Sequence, residues 1–539
     1  MALIDVGDRA VAVVVEAADA ASRMAAVRGL AEAIRKAKLP GVTDVVPSPG
    51  RVTVVYDPVR IASHASLRTR IETIEVAGVG AVAAGDVARH KIPVCYGGDL
   101  GPDLDEVCTI HGIDRDRFVA LHTEPDYVVE AIGFLPGFGY FTGLPAMLAT
   151  PRRTTPRRVV PAGSVGIGGG QTGAYPYASP GGWNLVGGTP TRLFDASRPR
   201  PALFAVGDRV RFVAIDRGEF DRRRSFEVAA PRDAAIDDAG ITVVNPGLFT
   251  TIQDLGRPGH RAAGVPLSGA ADPVSLQLAN RLVGNPATAA ALEITLLGPD
   301  LRFERDSVVA LTGAMFPGMP SAAAVPVCAG ETLSLGHAST GCRGYLAVAG
   351  GIDVPAVLSS RSTFSPAKLG GLRGLPLAAG DALPVGGARG VSSVPGGEGR
   401  PTVVRPMGGP VTLRMIPGEQ FAFAGESLWS ASHTTSSRSD RMGVRLDGPS
   451  LGGGDAAGSL PSVAVLPGTV QLPPDGKPIV LLADAQTIGG YPVIGHVIAA
   501  DLPRVAQLRP GDRVHWREAT IDEAHRALRD ADDRQGGGT

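Results

Sequence analysis

Three short segments bring carboxylate, guanidinium and amide groups within a few residues of one another. They are Gln253–Arg257, Ser439–Met442 and Asp484–Thr487. Groups of these types can orient a polar ligand and stabilise the charge that develops on it during a reaction. Each Asp-Arg pair can equally be a structural ion pair, and the residues alone leave the two interpretations open.

Five loops rich in glycine and polar residues extend this pattern. Glycine lets backbone N–H groups approach a ligand closely, and Gln, Tyr and Ser beside it can orient a carboxylate or an amide. An isolated glycine-rich loop is more often a simple turn than a binding site. The prediction of a binding site therefore depends on the functional side chains within these loops. We predict that the loops meet in one shared cleft. They are residues 133–145, 161–188, 251–272, 438–449 and 483–492.

The segment Gly168–Gly173 matches the G-x-G-x-x-G pattern of dinucleotide-binding proteins. That pattern needs a helix directly after it, whose positive end faces the pyrophosphate. Pro176 and Pro180 exclude such a helix, so a Rossmann site is rejected. The G-x-x-x-x-G-K-[ST] loop is also missing, so a nucleotide would have to be bound in another way.

The elements that must position these loops begin with a small α+β unit within the first 77 residues. A valine-rich alternating strand precedes Val27, Leu30 and Ile34, which are apolar at helical spacing. Two strands flank the turn at Pro47–Gly50, and a second helix follows. This order is that of a ferredoxin-like unit, and we expect a strand near Ile92–Tyr96 to close it.

Beyond residue 90, strand and turn signals recur in a fixed order. Gly207–Val210 and Gly511–Val514 are two clear copies of a Gly-Asp turn before an alternating strand, and Gly380–Leu383 is a looser third copy. The repetition predicts three related all-β modules, either closed barrels or sandwiches. Two further pairs of matching segments precede the clear copies: 161–165 with 467–470, and 171–176 with 486–492.

The predicted fold is therefore mainly β, with a small α+β domain at the N-terminus and three β-barrel modules after it. Aperiodic charged residues and a stretch rich in Gly, Ser and Pro mark the linkers. The expected divisions are 1–88 (ferredoxin-like domain), 89–222 (first barrel), 223–240 (linker), 241–390 (second barrel), 400–520 (third barrel) and 521–539 (polar tail).

Composition restricts the classes of function. The 539 residues carry a net charge of -1, so no overall field attracts nucleic acid or an anionic membrane. No secretory signal and no run of about 18 apolar residues is visible. The four cysteines form no Cys-x-x-Cys pair, and the ten histidines lack metal-binding spacing. We expect a cytoplasmic protein that binds neither nucleic acid nor membrane; its oligomeric state stays open.

Long motifs in both parts of the chain resemble two subunits of one enzyme. Four segments resemble the B subunit of 5-oxoprolinase, and five later segments resemble its C subunit; these families are also described as allophanate hydrolase subunits 1 and 2. The chain thus resembles both subunits fused end to end near residues 222–240. The B-like segments are Gly133–Tyr140, Val160–Val165, Gln171–Gly173 and Ser179–Trp183; the C-like segments are Thr250–Gly259, Gly264–Asp272, Ala279–Gly284, Ser439–Gly443 and Gly489–Pro492.

The resemblance implies cyclophilin-like barrels, one in the B half and two in the C half. It also implies a partner, a separate A subunit of the lactam-utilisation type, without which the chain is expected to be inactive. Together they would open the lactam 5-oxoproline to L-glutamate with hydrolysis of ATP, with Mg²⁺ as the expected metal. Phosphorylation of the lactam oxygen would convert an unreactive amide into one that water can attack.

The resemblance also gives each candidate residue a hypothetical role. Arginines and glycine amides are expected around the phosphoryl group, and aspartates are expected to hold Mg²⁺ or accept a proton. The expected catalytic residues are Asp254, Arg257, Asp272, Arg441 and Asp484. The expected substrate-binding residues are Gln171, Tyr175, Ser179, Gln486, Thr487 and Tyr491. The expected nucleotide-binding residues are Gly168, Gly169, Gly170 and Asp440.

Two alternative functions remain open at this point. The same modules resemble the carboxyltransferase portion of urea carboxylase, a biotin-dependent enzyme. No Met-Lys-Met biotin site is present, so that role would place the biotin carrier and an ATP-grasp domain on other polypeptides. The second alternative is a binding protein that regulates a histidine kinase or binds peptides as cyclophilins do.

Three positions depart from the family pattern. Leu375 stands where the C subunit usually has arginine, Glu419 replaces a usual proline, and Ser459 falls where an acidic residue is common. Either Arg373 compensates for Leu375 from two residues away, or the ligand differs from 5-oxoproline.

Overall fold

The computed structural model describes residues 2–78, 87–225, 239–387, 410–452 and 460–534. Within them strands predominate, and the fold class is the expected one, mainly β with a small α+β unit at the N-terminus. Three regions discussed above lie outside the described residues: most of the two linkers, Ser459 and the end of the tail.

A four-stranded antiparallel sheet with two helices forms the N-terminal unit. Its elements are β1 (Ala2–Asp5), β2 (Ala10–Val14), α1 (Ala20–Ala37), β3 (Val42–Ser48), β4 (Arg51–Tyr56) and α2 (His64–Gly78). The sheet order is β1-β2-β4-β3. The valines of β2 and β4 pack against Val27, Leu30 and Ile34 of α1, because helical spacing puts these three on one face.

The prediction that Ile92–Tyr96 closes this sheet is wrong. That strand belongs to the next module, and β1 pairs with β2 instead, with Leu3 opposite Val13. A tight turn makes this pairing possible, since Gly7 has a φ of 64°, a conformation that glycine adopts without steric cost.

Seven strands close into a barrel in the next module. Its elements are β5 (Arg89–Tyr96), α3 (Leu104–His111), α4 (Arg115–Thr123), β6 (Tyr127–Ile132), β7 (Gly139–Thr142), β8 (Arg157–Val160), β9 (Ser164–Gly168), β10 (Gln171–Ala174), β11 (Ser179–Gly181), β12 (Asn184–Gly188), β13 (Arg209–Ala214) and α5 (Arg217–Ser225). The ring order is β10-β7-β6-β13-β5-β12-β9, and β8 pairs with β11 outside the ring.

The middle module consists of two sheets that share one apolar core. Its elements are β14 (Ala239–Asn245), β15 (Phe249–Gln253), α6 (Pro273–Leu282), β16 (Ala291–Thr295), β17 (Asp300–Phe303), β18 (Ser307–Met315), β19 (Ala324–Val327), β20 (Thr332–Ser334), β21 (Thr340–Val348) and β22 (Ala382–Pro384). The sheet orders are β20-β17-β14-β22 and β15-β16-β21-β18-β19. The chain passes from the first sheet to the second at Pro246-Gly247. Proline has no backbone N–H, so it cannot continue the hydrogen bonds between strands.

The last module is a second closed barrel. Its elements are β23 (Val411–Pro417), α7 (Ser427–Ser430), β24 (His433–Thr435), β25 (Gly443–Asp447), β26 (Val463–Ala464), β27 (Thr469–Gln471), β28 (Ile479–Leu481), β29 (Ile488–Gly489), β30 (Val493–Val497), α8 (Leu502–Ala506), β31 (Arg513–Glu518) and α9 (Ile521–Arg534). The ring order is β23-β30-β27-β28-β25-β24-β31. Its last strand runs parallel to its first, as β13 runs parallel to β5.

The predicted repeat is confirmed at the Gly-Asp turn of all three modules. Gly207, Gly380 and Gly511 have φ values between 86° and 90°. The aspartate that follows each of them accepts a hydrogen bond of 2.7 to 2.8 Å from the backbone N–H three residues earlier. The looser third copy therefore has the same local structure as the two clear ones.

The proposed match between residues 171–176 and 486–492 is out of register. Gln171 begins β10, whose counterpart in the second barrel is β28. That strand ends at Leu481, five residues before Gln486. The two glutamines therefore occupy different places in their barrels. The two segments share the pairs Gln-Thr and Tyr-Pro, but the strands that precede these pairs differ in length. The shared letters therefore do not mark equivalent positions.

Acid should destabilise the first barrel through its buried histidine. His122 has no solvent exposure; it accepts a hydrogen bond from Tyr96 and lies between the rings of Phe118 and Phe212. Burial lowers the pKa of His122 from 6.5 to about 3. The unfolded chain thus binds one more proton between these values, and the free energy of unfolding falls by about 1.4 kcal/mol per pH unit as the pH drops below 6.5.

Urea unfolding at pH 7 and pH 5, followed for the chain and for His122→Gln, measures this effect. We expect the variant to lose much less stability between the two pH values than the unmodified chain. His337→Gln, a change at an exposed histidine, is the matched control and should keep the original pH dependence. Equal slopes for all three proteins would contradict the prediction.

Candidate functional site

The predicted loops from all three modules meet in packed contact. Gly137 of the first barrel donates a backbone hydrogen bond of 2.9 Å to the carbonyl of Ala263 in the middle module. A β-carbon at Gly133 would lie 2.7 Å from that of Ile488 in the second barrel. Ser268 in turn donates its backbone N–H to Ala483 at 2.9 Å. The rims thus converge at the contact between the two halves, and the shared cleft predicted there stays a prediction.

The N-terminal unit is also bonded to the C half. The carboxylate of Asp44 accepts the backbone N–H groups of Gly259 and Arg261 at 3.0 and 2.9 Å. Arg51 donates two hydrogen bonds to Glu419. The departure from the family pattern at residue 419 therefore forms an ion pair between the halves.

Arg441 is the centre of a buried ion cluster where the middle module meets the second barrel. Its Nε and Nη2 donate to the carboxylate of Asp484 at 2.8 and 2.9 Å, and Nη1 donates to Glu293. Nη2 also donates to the carbonyl of Gly269 at 2.7 Å. Burial lowers the pKa of Arg441, but the two carboxylates outweigh it and raise the pKa above its ordinary value. Every guanidinium nitrogen is engaged, so Arg441 can position its neighbours but has little capacity to bind a ligand.

Asp272 and Glu293 belong to one hydrogen-bonded network. The hydroxyl of Tyr345 donates to Glu293 at 2.8 Å and accepts the backbone N–H of Asp272 at 2.8 Å. Asp272 also caps helix α6 and accepts from Gln507 at 2.9 Å. Burial raises the pKa of Asp272. Burial also opposes the charge of Glu293, yet Arg441 and Arg343 lower its pKa. The network fixes the second barrel against the middle module.

Asp254 fastens a strained segment, residues 358–375, over the site. Its carboxylate accepts the hydroxyls of Ser360, at 2.6 Å, and Ser362. It also accepts the backbone N–H groups of Arg361 and Gly256 at 2.6 and 2.8 Å. Four of the nine non-glycine residues with positive φ in the described part of the chain lie in this segment: Leu358, Ser359, Lys368 and Arg373. Strain of this kind collects at functional sites.

Arg257 lies beneath this segment with most of its donors free. It has 0 % solvent exposure, and Nη2 donates to the carbonyl of Ser362. Its Nε and Nη1 have no hydrogen-bond partner. Burial lowers the pKa of Arg257, although Asp254 and Asp484 nearby oppose that effect. In contrast to Arg441, this guanidinium retains N–H groups that can bind an anionic or carbonyl oxygen.

The B-half candidates surround an aromatic cluster rather than the ion cluster. Tyr175 is buried against Phe138 at a centroid distance of 5.0 Å, and burial raises its pKa to about 12. Gln171 donates to Glu130 at 3.2 Å. Ser179 is buried, and its hydroxyl has no partner. Phe134, which contacts Tyr175, stands in the loop that packs against the C half and links the two regions.

The remaining substrate candidates are divided between interior and surface. Gln486 donates to Gln471 at 3.3 Å, and Thr487 is buried with an unpartnered hydroxyl. Tyr491 is 44 % exposed on the surface. The six expected substrate-binding residues thus differ in burial and in hydrogen-bond partners, and their common role stays a prediction.

Three of the four nucleotide candidates are held by contacts within their own strands and turns, and the backbone N–H of Gly170 is the one that stays available. Gly168 is a strand residue whose added β-carbon would lie 2.5 Å from the indole of Trp183, and Gly169 donates its N–H to Thr150 at 2.7 Å. Gly170 completes the β9–β10 hairpin, and Asp440 accepts two backbone N–H groups of its own turn. The carboxylates of Asp254, Asp272 and Asp484 each accept hydrogen bonds from protein groups, and no group of three or more possible metal ligands occurs among the described residues, so their role toward Mg²⁺ stays a prediction.

Several residues of this region escaped the sequence prediction. Glu293 is the clearest, because it stands in the apolar strand β16 and its burial requires a charged partner. That isolated acid within an apolar run was a usable signal. Thr363 gave no such signal, and Gln253 stood in a selected polar segment without a predicted role. The two are distant in sequence and meet where the amide of Gln253 donates to the carbonyl of Thr363 at 3.1 Å.

Comparison with known proteins identifies the family. Models of the carboxyltransferase domain match residues 1–204 (subdomains C and D) and 263–518 (subdomains A and B). The chain is 40% identical to the C subunit of 5-oxoprolinase from Escherichia coli over 94% of that protein. It is 38% identical to the B subunit of the Bacillus subtilis enzyme over 84% of that protein. The chain belongs to the family of the B and C subunits of 5-oxoprolinase.

Both halves of this B/C family chain also occur together in a solved protein. The crystal structure of TTHA0988 is 35% identical, has a TM-score of 0.80, and matches 94% of this chain and 99% of that one. Urea amidolyase of Saccharomyces cerevisiae is 33% identical over 55% of this chain, but the match spans only 17% of that enzyme. No helix among the described residues is both long and apolar enough to cross a membrane.

Proposed function

We propose that the chain supplies the B and C functions of a 5-oxoprolinase in one polypeptide. Together with a separate A subunit, it opens 5-oxoproline to L-glutamate at the expense of ATP. The observation that carries this proposal is the match to the B and the C subunits over most of the length of each, in consecutive parts of one chain. The contacts of Asp44 and Arg51 with the C half suit joint action of the two parts.

The chemistry that this chain would contribute is charge stabilisation at the lactam. When the lactam oxygen takes up a phosphoryl group and water attacks the ring carbon, negative charge develops on oxygen atoms. Preorganised N–H donors stabilise such charge best in a site that excludes water. Arg257 has free donors and no solvent exposure, so it can hold an anionic substrate in such a site. Asp254 and Asp484 hold its surroundings, and Arg441 positions Asp484.

The candidate residues that the structure describes are engaged in contacts with their own protein neighbours, so we assign no phosphoryl-transfer step to them. The A subunit is the component to which we assign nucleotide binding. The cytoplasm, where ATP is available, is the proposed location of the complex.

The runner-up is a carboxyltransferase acting on urea. The carboxyltransferase family models and the resemblance to urea amidolyase favour it. In this function the chain would take a carboxyl group from carboxybiotin carried by another polypeptide.

Reconstitution distinguishes the two functions. The chain and its A subunit are mixed with ATP and 5-oxoproline, and glutamate is measured; parallel reactions contain urea, bicarbonate and a biotin carrier. We expect glutamate only when the chain, the A subunit, ATP and 5-oxoproline are all present. Product from urea that depends on bicarbonate and biotin, with no glutamate, would establish the runner-up. Absence of both products would reject both enzymes and leave a binding protein.

A further inference from the structure

Three buried side chains beside the Gly370-Gly371 turn have polar atoms without partners. They are the Nε and Nη1 of Arg257, the Oε1 of Gln253 and the Oγ1 of Thr363. All three residues are at most 1 % exposed. Buried polar atoms in proteins are nearly always hydrogen-bonded, so a group of orphans requires an explanation.

The three side chains are joined through two consecutive residues of the strained segment. Arg257 donates to the carbonyl of Ser362, and Gln253 donates to the carbonyl of the next residue, Thr363. A β-carbon at Gly370 would lie 2.9 Å from Nη2 of Arg257, and one at Gly371 would lie 2.0 Å from the hydroxyl of Thr363. The glycine pair therefore lets the backbone pack directly against these polar ends, where any side chain would collide with them.

The amide orientation of Gln253 is settled by its partners. Its nitrogen donates to the hydroxyl of Thr251 at 3.0 Å and to the carbonyl of Thr363 at 3.1 Å. A carbonyl can only accept, so the nitrogen must face it and the orphan Oε1 is an acceptor. The polar atoms without partners thus comprise two cationic donors on Arg257, a neutral acceptor on Gln253 and the hydroxyl of Thr363. A complementary ligand has a carboxylate, an N–H donor and a further polar oxygen.

We propose that Gln253, Arg257 and Thr363 form a binding site for a small lactam acid, here 5-oxoproline. Arg257 binds the carboxylate, Gln253 Oε1 accepts the ring N–H, and the hydroxyl of Thr363 donates to the ring carbonyl. The choice of 5-oxoproline rests on the proposed function; the complementary groups come from the orphan atoms. Residues 358–375, which hold the four strained positions, must move to admit the ligand because Arg257 is sealed from solvent.

Thr363→Val is the sharpest test, because the removed hydroxyl has no protein partner and the shape is kept. Thr435→Val is the matched control, since Thr435 is also buried with an orphan hydroxyl but lies in β24 of the second barrel. Isothermal titration with 5-oxoproline uses the full chain, alone and with its A subunit. We expect affinity to fall at least about tenfold in Thr363→Val and to stay unchanged in the control.

Two analogues test the other contacts by the same titration. 2-Pyrrolidinone lacks the carboxylate that Arg257 would bind, and 5-oxotetrahydrofuran-2-carboxylate replaces the ring N–H that Gln253 would accept by oxygen. We expect each to bind at least about tenfold more weakly than 5-oxoproline. Equal affinities for all three compounds, or equal behaviour of the two valine variants, would overturn the site and assign the orphans to ordered water. No binding of 5-oxoproline to the chain in either state would also overturn it.

The outcomes separate this inference from the proposed function. Glutamate production by the reconstituted enzyme, with unchanged turnover and binding in Thr363→Val, would retain the function and reject the site. Selective binding of 5-oxoproline without any glutamate production would retain the site and reject the function.

Discussion

Replacing Arg441 by leucine should lower the free energy of unfolding of the C half by about 3 to 5 kcal/mol. The change leaves the carboxylates of Asp484 and Glu293 buried without their cation, and an uncompensated buried charge is strongly destabilising. Urea unfolding followed by tryptophan fluorescence is a suitable measurement, because two of the three tryptophans, Trp429 and Trp516, lie in the second barrel.

Two further variants make this prediction specific to the ion cluster. Arg517→Ala removes a cation from an exposed ion pair with Glu523 and should cost less than about 1 kcal/mol. Replacing Arg441, Asp484 and Glu293 together by leucine removes the orphaned charges as well, so it should be less destabilising than Arg441→Leu alone. Equal losses for Arg441→Leu and Arg517→Ala would show that the cluster is not a buried ion network.

Asp254→Ala should lower the kcat of the reconstituted enzyme about 100-fold. Four donors, the hydroxyls of Ser360 and Ser362 and the amides of Gly256 and Arg361, lose their common acceptor. The segment above Arg257 is then no longer held, and displacement of a positioning group by about 1 Å can reduce a rate by that factor. Steady-state assay of glutamate formation measures the effect.

The matched control for this variant removes a carboxylate that pairs with the same segment from outside it. Asp353→Ala removes an exposed carboxylate that pairs with the side chain of Arg361, but leaves Asp254 and its donors intact. We expect its kcat to stay within about twofold of the unmodified chain, because exposed ion pairs contribute little. A similar large loss in both variants would mean that the segment as a whole, rather than its attachment to Asp254, controls the rate.

Local signals in the sequence predicted the repeated turns well. The Gly-Asp turn needs a positive φ and a short acceptor side chain in adjacent positions, so its residue types are nearly fixed by the local backbone. The looser copy at Gly380-Asp381 could be recognised for that reason. The partner of β2 could not be recognised from the sequence. Both β1 and the strand at Ile92–Tyr96 would fit the same alternation of apolar residues beside it.

The site was predictable where its groups are adjacent in the chain. Asp254, Arg257, Arg441 and Asp484 were selected from short polar segments, and the structure joins three of them to buried networks. What these segments could not predict is which arginine has free donors. That distinction depends on Glu293 and Ser362, residues from distant strands and loops.

Two of the departures from the family pattern, Glu419 and Leu375, lie in the described part of the chain. Glu419 pairs with Arg51 across the two halves. Leu375 is 38 % exposed, and Arg373, two residues before it, donates to Asp381 of the Gly-Asp turn.

The most direct test of the proposed reaction follows the oxygen of the lactam. The reconstituted enzyme is supplied with ATP and 5-oxoproline labelled with ¹⁸O at the ring carbonyl, and the inorganic phosphate is analysed by mass spectrometry. If the lactam oxygen is phosphorylated before water attacks the ring carbon, the label leaves with phosphate, and we predict one labelled phosphate for each glutamate formed. Unlabelled phosphate, with all of the label retained in glutamate, would contradict the account.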